Sequence, residues 1–362
     1  MGLELEFAAV AFLIALPLTA LLRLPTKPGR VAAHARIPRI GGIPIATAFV
    51  VTPPLLALGN ADARQFLQDD WNAFLALAAC GGIVFAVGAI DDFRDVNWKV
   101  KFAAQVVAAV GLYVSGFRVG QMTLPGGGTI ELGLVDAPIT VLWLVFITNA
   151  TNLIDGHDGV AAGISALVAG TMAYTAYDLG HELVALLFAT LAGASLGFAP
   201  LNLPPAKRFL GDSGAYFLGF TIAGLSVAGF VDSTGRVPLY IPLVALGLPV
   251  LDTGVAFLRR MLEGRNPMSA DFDHFHHRMR SLLGLQPLQI SIAAYLLTAG
   301  FCMAALLLHN WYKSAGSAVV GAVVLALAVV LVALLGYMRT MWQSVRTLRR
   351  RLSETGTARE AR

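Results

Sequence analysis

The chain has 362 residues, of which 57% are hydrophobic and only 13% are charged, and its mean hydropathy is +0.70. Soluble domains carry about 25% charged residues, so this composition excludes an ordinary soluble domain and indicates a polytopic membrane protein. The two cysteines, Cys80 and Cys302, fall within apolar runs, which excludes a disulfide-rich scaffold. The formal net charge of +4 would suit a nucleic-acid partner, but the positions of the basic residues explain it better, so no nucleic acid is expected.

Runs of about 20 apolar residues cross a bilayer as helices, because lipid leaves no hydrogen-bond partner for an open backbone. The sequence predicts eleven such helices, and hence an all-α polytopic membrane protein. The first run ends at Arg23 without a small-residue cleavage motif, so it is kept as a membrane helix. The predicted spans centre on residues 7–22, 42–59, 72–90, 102–117, 137–153, 160–177, 183–199, 214–230, 238–257, 289–308 and 315–338.

The basic residues give these helices a direction. With the N-terminus outside, only four of the 26 lysines and arginines lie on outward segments, namely Arg64, Arg118, Arg236 and Lys313. The positive-inside rule therefore predicts an N-terminus outside and a C-terminus in the cytoplasm. We expect residues 1–338 to form an integral membrane domain with a cytoplasmic loop at 259–288, and residues 339–362 to form a basic cytoplasmic tail at the lipid headgroups.

The third predicted span ends in two adjacent aspartates, Asp91 and Asp92, within the sequence IDDFRD. Adjacent carboxylates repel each other and resist ionisation unless a cation is near. Mg²⁺ prefers a few carboxylates together with phosphates and water, so the pair predicts a Mg²⁺ site. The alternative is a solvated helix end at which Arg94 and Lys99 neutralise the pair.

The fifth span leads into NATNLIDGHDG, where Asn149, Asn152, Asp155 and Asp158 are spaced by three residues. A helix would place such residues along one face, and Gly156 would break it. Amide and carboxylate groups on one face suit a nucleobase and a ribose. The alternative is an asparagine-capped helix break without a ligand.

The motif GDSG at residues 211–214 places Asp212 immediately before the eighth span. Ser213 in the same motif is a good helix cap, so capping alone is the alternative to a functional site. Lys207 and Arg208, just upstream, would attract anions. The motif by itself leaves both interpretations open.

A histidine-rich loop follows the ninth span and ends in DFDHFHHR at residues 271–278. Three histidines invite a zinc site, but no cysteine and no HExxH helix lies on this side of the membrane. Histidine and arginine side chains that donate to a diphosphate fit the segment better.

All four polar clusters lie on the inward side, which indicates an enzyme that faces one compartment. A secondary transporter is the rival from another class, since eleven spans would suit it. Transporters place charged residues near the membrane midplane, whereas the interiors of the predicted spans lack acidic and basic residues except for Asp252 near an inner end. The enzyme is therefore favoured.

Together these motifs resemble the polyprenyl-phosphate N-acetylhexosamine-1-phosphate transferases, a superfamily that includes the phospho-MurNAc-pentapeptide translocase. The resemblance runs in order through HARIPRIGG, the aspartate pair, KFAAQ, NxxNxxDGxDG, FLGDSG and HFHHR. The loop ending HFHHR is similar to the branch that transfers GlcNAc-1-phosphate to begin O-antigen, teichoic acid or other surface glycans. The pentapeptide translocase is the alternative within the superfamily.

The resemblance implies that a polyprenyl phosphate such as undecaprenyl phosphate attacks the β-phosphorus of a UDP-N-acetylhexosamine and releases UMP. It implies Mg²⁺ as the cofactor, with Mn²⁺ as a substitute, and a multi-pass protein of the bacterial inner membrane whose site faces the cytoplasm. A homodimer is expected from family likeness alone. Two residues depart from the family pattern: Ala215 after GDSG, and His157 in place of an aliphatic residue.

The residue roles implied by the resemblance fall into two sets. The expected catalytic residues, which are also the expected metal ligands, are Asp91, Asp92, Asp155 and Asp212, with Asp212 leading. One of the adjacent pair would alternatively deprotonate the lipid phosphate. The expected substrate-binding residues are Lys101, Asn149, Asn152, Gly156, Asp158, Arg265, His274, His276 and His277.

Overall fold

A computed structural model describes residues 1–24, 26, 37–123, 128–228, 239–263 and 274–311. These segments are almost entirely helical. The helices are α1 Gly2–Leu21, α2 Gly42–Gly59, α3 Ala61–Asp69, α4 Trp71–Phe93, α5 Trp98–Val114, α6 Asp136–Ile154, α7 Val160–Asp178, α8 Glu182–Asn202, α9 Gly211–Ala228, α10 Tyr240–Ala245, α11 Gly247–Leu262, α12 Phe275–Leu283 and α13 Pro287–Trp311. A small antiparallel hairpin, β1 Gln121–Thr123 with β2 Thr129–Glu131, and a 3-10 turn at Gly133–Val135 join α5 to α6.

Within the described residues, seven helices are long and apolar enough to cross a membrane. They are α1, α2, α4, α6 with the 3-10 turn before it, α7, α8 and α13. Their apolar side chains face outward around much of the circumference, with Leu21, Leu58 and Leu296 among the most exposed, as expected for surfaces that contact lipid. The prediction of an all-α membrane protein is confirmed.

The predicted number of spans is met only in part. Each of the first ten predicted spans overlaps a described helix, but the ninth, at 238–257, is divided into α10 and α11 at Leu246. Pro249 has no N–H to continue a helical ladder across this point. The eleventh span at 315–338 and the basic tail at 339–362 lie outside the described residues, so the total of eleven and the orientation stay predictions.

The helices enclose α8 and α9. The apolar span of α8 is 78% buried, compared with 28% for α1, and α8 packs against α1, α2 and α7. Glycine allows this close approach, because a Cβ on Gly193 would collide with the carbonyl of Ala8. Helix α9 packs against α4 and α6, and almost all of its side chains are buried. The first turn of α9, which carries Asp212, is therefore held rigidly inside the bundle.

A short extended segment fixes that first turn from another side. Residues 38–42 run beside residues 209–210, with Phe209 N–H donating to Pro38 O at 2.9 Å and Gly41 N–H donating to Phe209 O at 3.0 Å. Arg39 and Phe209 form a parallel bridge. The part of the HARIPRIGG motif that the structure describes thus lies directly against the FLGDSG motif, although about 170 residues separate them in sequence.

Candidate active site

Asp92, at the end of α4, caps the start of α9. Its Oδ1 accepts a hydrogen bond from Asp212 N–H at 2.9 Å, and its Oδ2 accepts from Ser213 N–H at 3.1 Å and from Ser213 Oγ at 2.6 Å. The backbone reaches this geometry through Gly211, whose φ of 77° favours glycine. A carboxylate at a helix N-terminus satisfies N–H groups that the helix leaves without partners and interacts favourably with the helix dipole. Asp92 therefore sets the position of Asp212.

The carboxylate of Asp212 lies between a cation and an amide. Lys101 Nζ contacts Asp212 Oδ2 at 2.9 Å and Asp91 Oδ1 at 3.4 Å, and Asn152 Nδ2 donates to Asp212 Oδ1 at 3.3 Å. Asp91 Oδ1 also accepts from Val96 N–H at 2.8 Å. The structure thus joins the first, second and third predicted clusters through α4, α5, α6 and α9.

Asp155 lies immediately after the end of α6. We call Asp91, Asp92, Asp155 and Asp212 the acidic group. Burial, together with the negative charges of Asp212 and Asp92, raises the pKa of the Asp155 carboxyl well above the usual range, while the positive charge of Arg39 acts in the opposite direction. These electrostatic interactions place Asp155 near Asp92, Asp212 and Arg39. A carboxylate in this position gains from any cation that enters the site.

The turn that follows Asp155 is tied to two other helices. Asp158 Oδ2 accepts from Ala206 N–H at 3.0 Å, and Asn202 Oδ1 accepts from Gly159 N–H at 3.1 Å. On the other side, Tyr295 OH donates to Gly159 O at 2.7 Å and Ser291 Oγ donates to Asp158 O at 2.8 Å. Residues 155–159 are therefore clamped between the end of α8 and the beginning of α13.

The asparagine one turn deeper in α6 faces a different neighbour. Asn149 Nδ2 donates to Gln105 Oε1 at 2.6 Å and to Val145 O at 2.8 Å. Gln105 is buried on α5, so this pair satisfies two amides between helices. The structure places Asn149 against α5, and its predicted contact with substrate stays a prediction.

The histidines at the start of α12 lie against the 155–159 turn. A Cβ on Gly156 would collide with the ring of His276, and His276 lies 4.2 Å from His277 between ring centroids. Burial and the nearby His277 and His157 lower the pKa of His276 to about 3, so its ring is neutral near pH 7. His274 Nδ1 lies 2.9 Å from Asp252 Oδ2. Arg265, also predicted to bind phosphate, lies outside the described residues.

The number and kind of donor atoms in the acidic group decide whether it fits a divalent cation. The described residues contain no set of three or more histidine, cysteine, aspartate or glutamate side chains arranged to hold a metal. Mg²⁺, however, usually takes one or two carboxylates from a protein and completes its shell with water and substrate phosphates. Asp155 and Asp212 interact and offer only oxygen donors. That donor set fits a Mg²⁺ ion shared with a bound diphosphate.

Several residues at the site were not among the predicted site residues. Arg39 lies within the HARIPRIGG motif, but the sequence identifies it only as one of the inward basic residues. Asn202, Ser291 and Tyr295 support the 155–159 turn and carry no signal in the sequence, because their role depends on helix packing. Gln105 stands in the quoted KFAAQ segment, but its pairing with α6 depends on how α5 packs against α6.

Comparisons with known proteins place this geometry in a family. Residues 74–230 match the model of glycosyl transferase family 4. A relative from Bacillus subtilis strain 168, described as a probable undecaprenyl-phosphate N-acetylglucosaminyl 1-phosphate transferase, is 35% identical over 316 residues, covering 83% of this chain and 85% of that protein. The chain belongs to glycosyl transferase family 4. The match to this family includes Asp92, Lys101, Asp155, His157 and Asp212 and ends before the histidines of α12.

Two further relatives have different names. A decaprenyl-phosphate N-acetylglucosaminephosphotransferase from Mycolicibacterium smegmatis is 34% identical over 268 residues, covering 67% of this chain and 64% of that protein. A phospho-N-acetylmuramoyl-pentapeptide-transferase from Streptococcus suis is 33% identical over 273 residues, covering 69% and 77%. The expected resemblance to this superfamily is confirmed.

Proposed function

We propose that this protein transfers N-acetylglucosamine-1-phosphate from UDP-N-acetylglucosamine to a polyprenyl phosphate such as undecaprenyl phosphate, releasing UMP. The observation that carries the proposal is the ion pair of Lys101 with Asp212, together with the electrostatic influence of Asp212 on Asp155, which brings three separate sequence motifs together. The relatives whose names specify N-acetylglucosamine cover up to 83% of the chain, which supports this sugar over the pentapeptide donor.

In the proposed reaction an oxygen of the lipid phosphate forms a bond to the β-phosphorus of the nucleotide sugar. The bond from that phosphorus to the bridging oxygen breaks, and UMP departs with the oxygen and its negative charge. Phosphoryl transfer of this kind depends on positioning and on offsetting charge. Lys101 and Arg39 supply positive charge near the phosphates, while Asn152 keeps the carboxylate of Asp212 in one orientation.

We assign the two adjacent aspartates different parts. Both oxygens of Asp92 accept hydrogen bonds from the first turn of α9, so Asp92 acts by fixing Asp212. Asp91 faces Lys101 and is the better candidate to accept a proton from the lipid phosphate. Asp212 and Asp155 would hold Mg²⁺, or Mn²⁺ in its place, which when bound offsets the charge of the diphosphate.

We further propose that the site faces the cytoplasm of a bacterium, with eleven spans, the N-terminus outside and the protein in the inner membrane. The concentration of lysine and arginine on the inward segments supports this orientation. Cytoplasmic access would bring the site to soluble UDP-sugars, while the apolar helices around it give access to a lipid phosphate. Assembly as a homodimer is proposed from family likeness alone.

The proposal is tested by the purified protein in detergent with undecaprenyl phosphate and Mg²⁺, with UMP release as the measurement. Parallel reactions contain UDP-N-acetylglucosamine, UDP-N-acetylgalactosamine or UDP-MurNAc-pentapeptide. We expect UMP only with the first, or with the first at least about tenfold faster, a difference of about 1.4 kcal/mol in transition-state binding. A faster reaction with the pentapeptide donor would reassign the branch, and no UMP from any donor would end the proposal.

A further inference from the structure

The carboxylate of Asp252 is also buried, but it lies outside the acidic group. Asp252 on α11 is only 3% exposed. Its Oδ1 accepts from Phe275 N–H at 2.8 Å, and its Oδ2 lies 2.9 Å from His274 Nδ1. Phe275 is the first residue of α12, so Asp252 caps this helix from a neighbouring helix. The position of α12, and of the histidines at its start, is thereby set by α11.

The contact with Asp252 also fixes the chemical form of His274. A carboxylate beside Nδ1 favours the proton on that nitrogen, which leaves Nε2 as the nitrogen for any other partner. The ring of His274 is buried and cannot turn without breaking this hydrogen bond. Asp252 therefore gives His274 one orientation and one tautomer.

Three histidine rings continue from this anchor in a nearly parallel row. His274 and His276 are 6.5 Å apart between ring centroids with an interplanar angle of 15°, and His276 and His157 are 6.0 Å apart with an angle of 25°. At the far end, His157 Nε2 lies 2.9 Å from Pro287 O at the start of α13. We call His274, His276 and His157 the histidine row.

The histidine row crosses the turn next to the acidic group. His276 leaves no room for a side chain at Gly156, so the row and the 155–159 turn pack as one unit. One end of the row is held by α11 through Asp252, and the other by α13 through His157. Movement at either end would shift His276 against Gly156.

We propose that Asp252 and His157 are positioning residues for the nucleotide sugar, which they influence through His274 and His276. The inference rests on the proposed function, since it takes the 155–159 turn and the histidines as the surface that meets the UDP group. His157 Nε2 lies 2.9 Å from Pro287 O, so it anchors the row through a hydrogen bond that an aliphatic side chain could not make. Binding of the lipid substrate is not expected to depend on the row, because the row contacts the 155–159 turn, which we take to meet the UDP group.

The test uses Asp252→Asn and His157→Leu, with UMP release measured while each substrate is varied in turn. Asp252→Asn keeps an oxygen for Phe275 N–H but removes the acceptor that fixes the His274 tautomer. We expect each variant to raise the KM for UDP-N-acetylglucosamine about tenfold, the size expected for one misplaced hydrogen bond. The KM for undecaprenyl phosphate should stay within about twofold, and kcat within about threefold. His157→Gln, which can still donate to Pro287 O, should restore the KM.

A double variant distinguishes an effect transmitted through the histidine row from a general loss of structure. Because both residues act through the same rings, the combined effect on KM should fall well below the product of the single effects. Multiplicative effects, equal changes in both KM values, or an unchanged KM for the UDP-sugar would each overturn the inference. His181→Leu, on the opposite side of the membrane in the predicted topology, serves as the control and should behave as the wild type.

The outcome for the row can be told apart from the outcome for the reaction. If the wild type releases UMP while the variants bind donor normally, the proposed function stands and the inference fails. If the wild type releases no UMP from any UDP-amino sugar, the proposed function fails. Binding of UDP alone, measured by calorimetry with Mg²⁺, then tests the row directly. About tenfold weaker binding by both variants would support it, and equal affinity would overturn it.

Discussion

Asp92 directs both carboxylate oxygens at the first turn of α9, whereas Asp212, in that same turn, directs its oxygens at Lys101 and Asn152. The two side chains have the same chemistry, but their surroundings give them different roles. Asp92 is buried and satisfied by the protein itself. Asp212 is partly exposed and presents its charge to the pocket, where substrate and cation would arrive.

This division predicts different consequences for the same substitution. Asp212→Asn should lower UMP release by about 10³-fold, as when one preorganised charge contact is lost, and leave the melting temperature within a few degrees of the wild type. Asp92→Asn should lower both activity and thermal stability, because it weakens a buried cap worth about 1–2 kcal/mol. Thermal unfolding in detergent and UMP release measure the two effects.

The control for this pair is Asp69→Asn, an exposed aspartate at the end of α3, which should change neither quantity. Normal turnover by Asp212→Asn would remove it from the reaction. A melting temperature for Asp92→Asn equal to that of the wild type would show that the cap contributes little to α9.

Helices α4 and α9 meet so closely that the packing itself positions the acidic group. A Cβ on Gly88 would lie 2.6 Å from Ser213 N and 2.7 Å from Asp212 O. No side chain fits between the two backbones at that level of the bundle. The distance from the aspartate pair to Asp212 is therefore set by a glycine on α4 as much as by hydrogen bonds.

Gly88→Ala should push the first turn of α9 away from α4 and lower UMP release about tenfold or more, since small displacements at a reacting centre are costly. Gly82→Ala on the same helix is the matched control, because a Cβ there would meet nothing within 4 Å. Gly82→Ala should retain full activity. Equal activity of the two alanine variants would show that α4 and α9 can move apart at Gly88 without an effect on UMP release.

Over the whole molecule, the polar clusters gather at one end of an otherwise apolar bundle. Basic residues accumulate on the same predicted side, which is the basis for placing the site in the cytoplasm. Both native cysteines, Cys80 and Cys302, are buried, so an introduced cysteine reports its own position. This makes the orientation directly measurable.

We expect Asp62→Cys to react with a membrane-impermeant maleimide in intact bacterial cells, because its loop is predicted to face outward. Arg94→Cys should react only after the cells are lysed. The native protein, carrying only its two buried cysteines, supplies the unlabelled baseline. Labelling of Arg94→Cys from outside, with protection of Asp62→Cys, would reverse the proposed topology and move the site to the opposite face.

Much of the site could be predicted because its chemistry is concentrated in short motifs. Asp91, Lys101, Asp155 and Asp212 each lie in a polar cluster at the end of an apolar run, and charge at a bilayer edge is costly unless it has a function or a partner. These motifs could not reveal which carboxylate oxygens already accept hydrogen bonds from the protein. Serine and aspartate in GDSG allowed either a cap or a site, and the structure shows that Asp92 provides the capping carboxylate, while Asp212 lies in the pocket.

By itself the sequence determined the membrane class and most of the long apolar helices, and it singled out the polar clusters, because hydrophobic length and polar clusters are local properties of a chain. Only the tertiary structure decided the pairing of Asn149 with Gln105 on α5 and the histidine row that joins Asp252 to the start of α13. Those features depend on contacts between residues up to 130 positions apart, as between His157 and Pro287. Such contacts exist only when helices pack, and no local pattern records them.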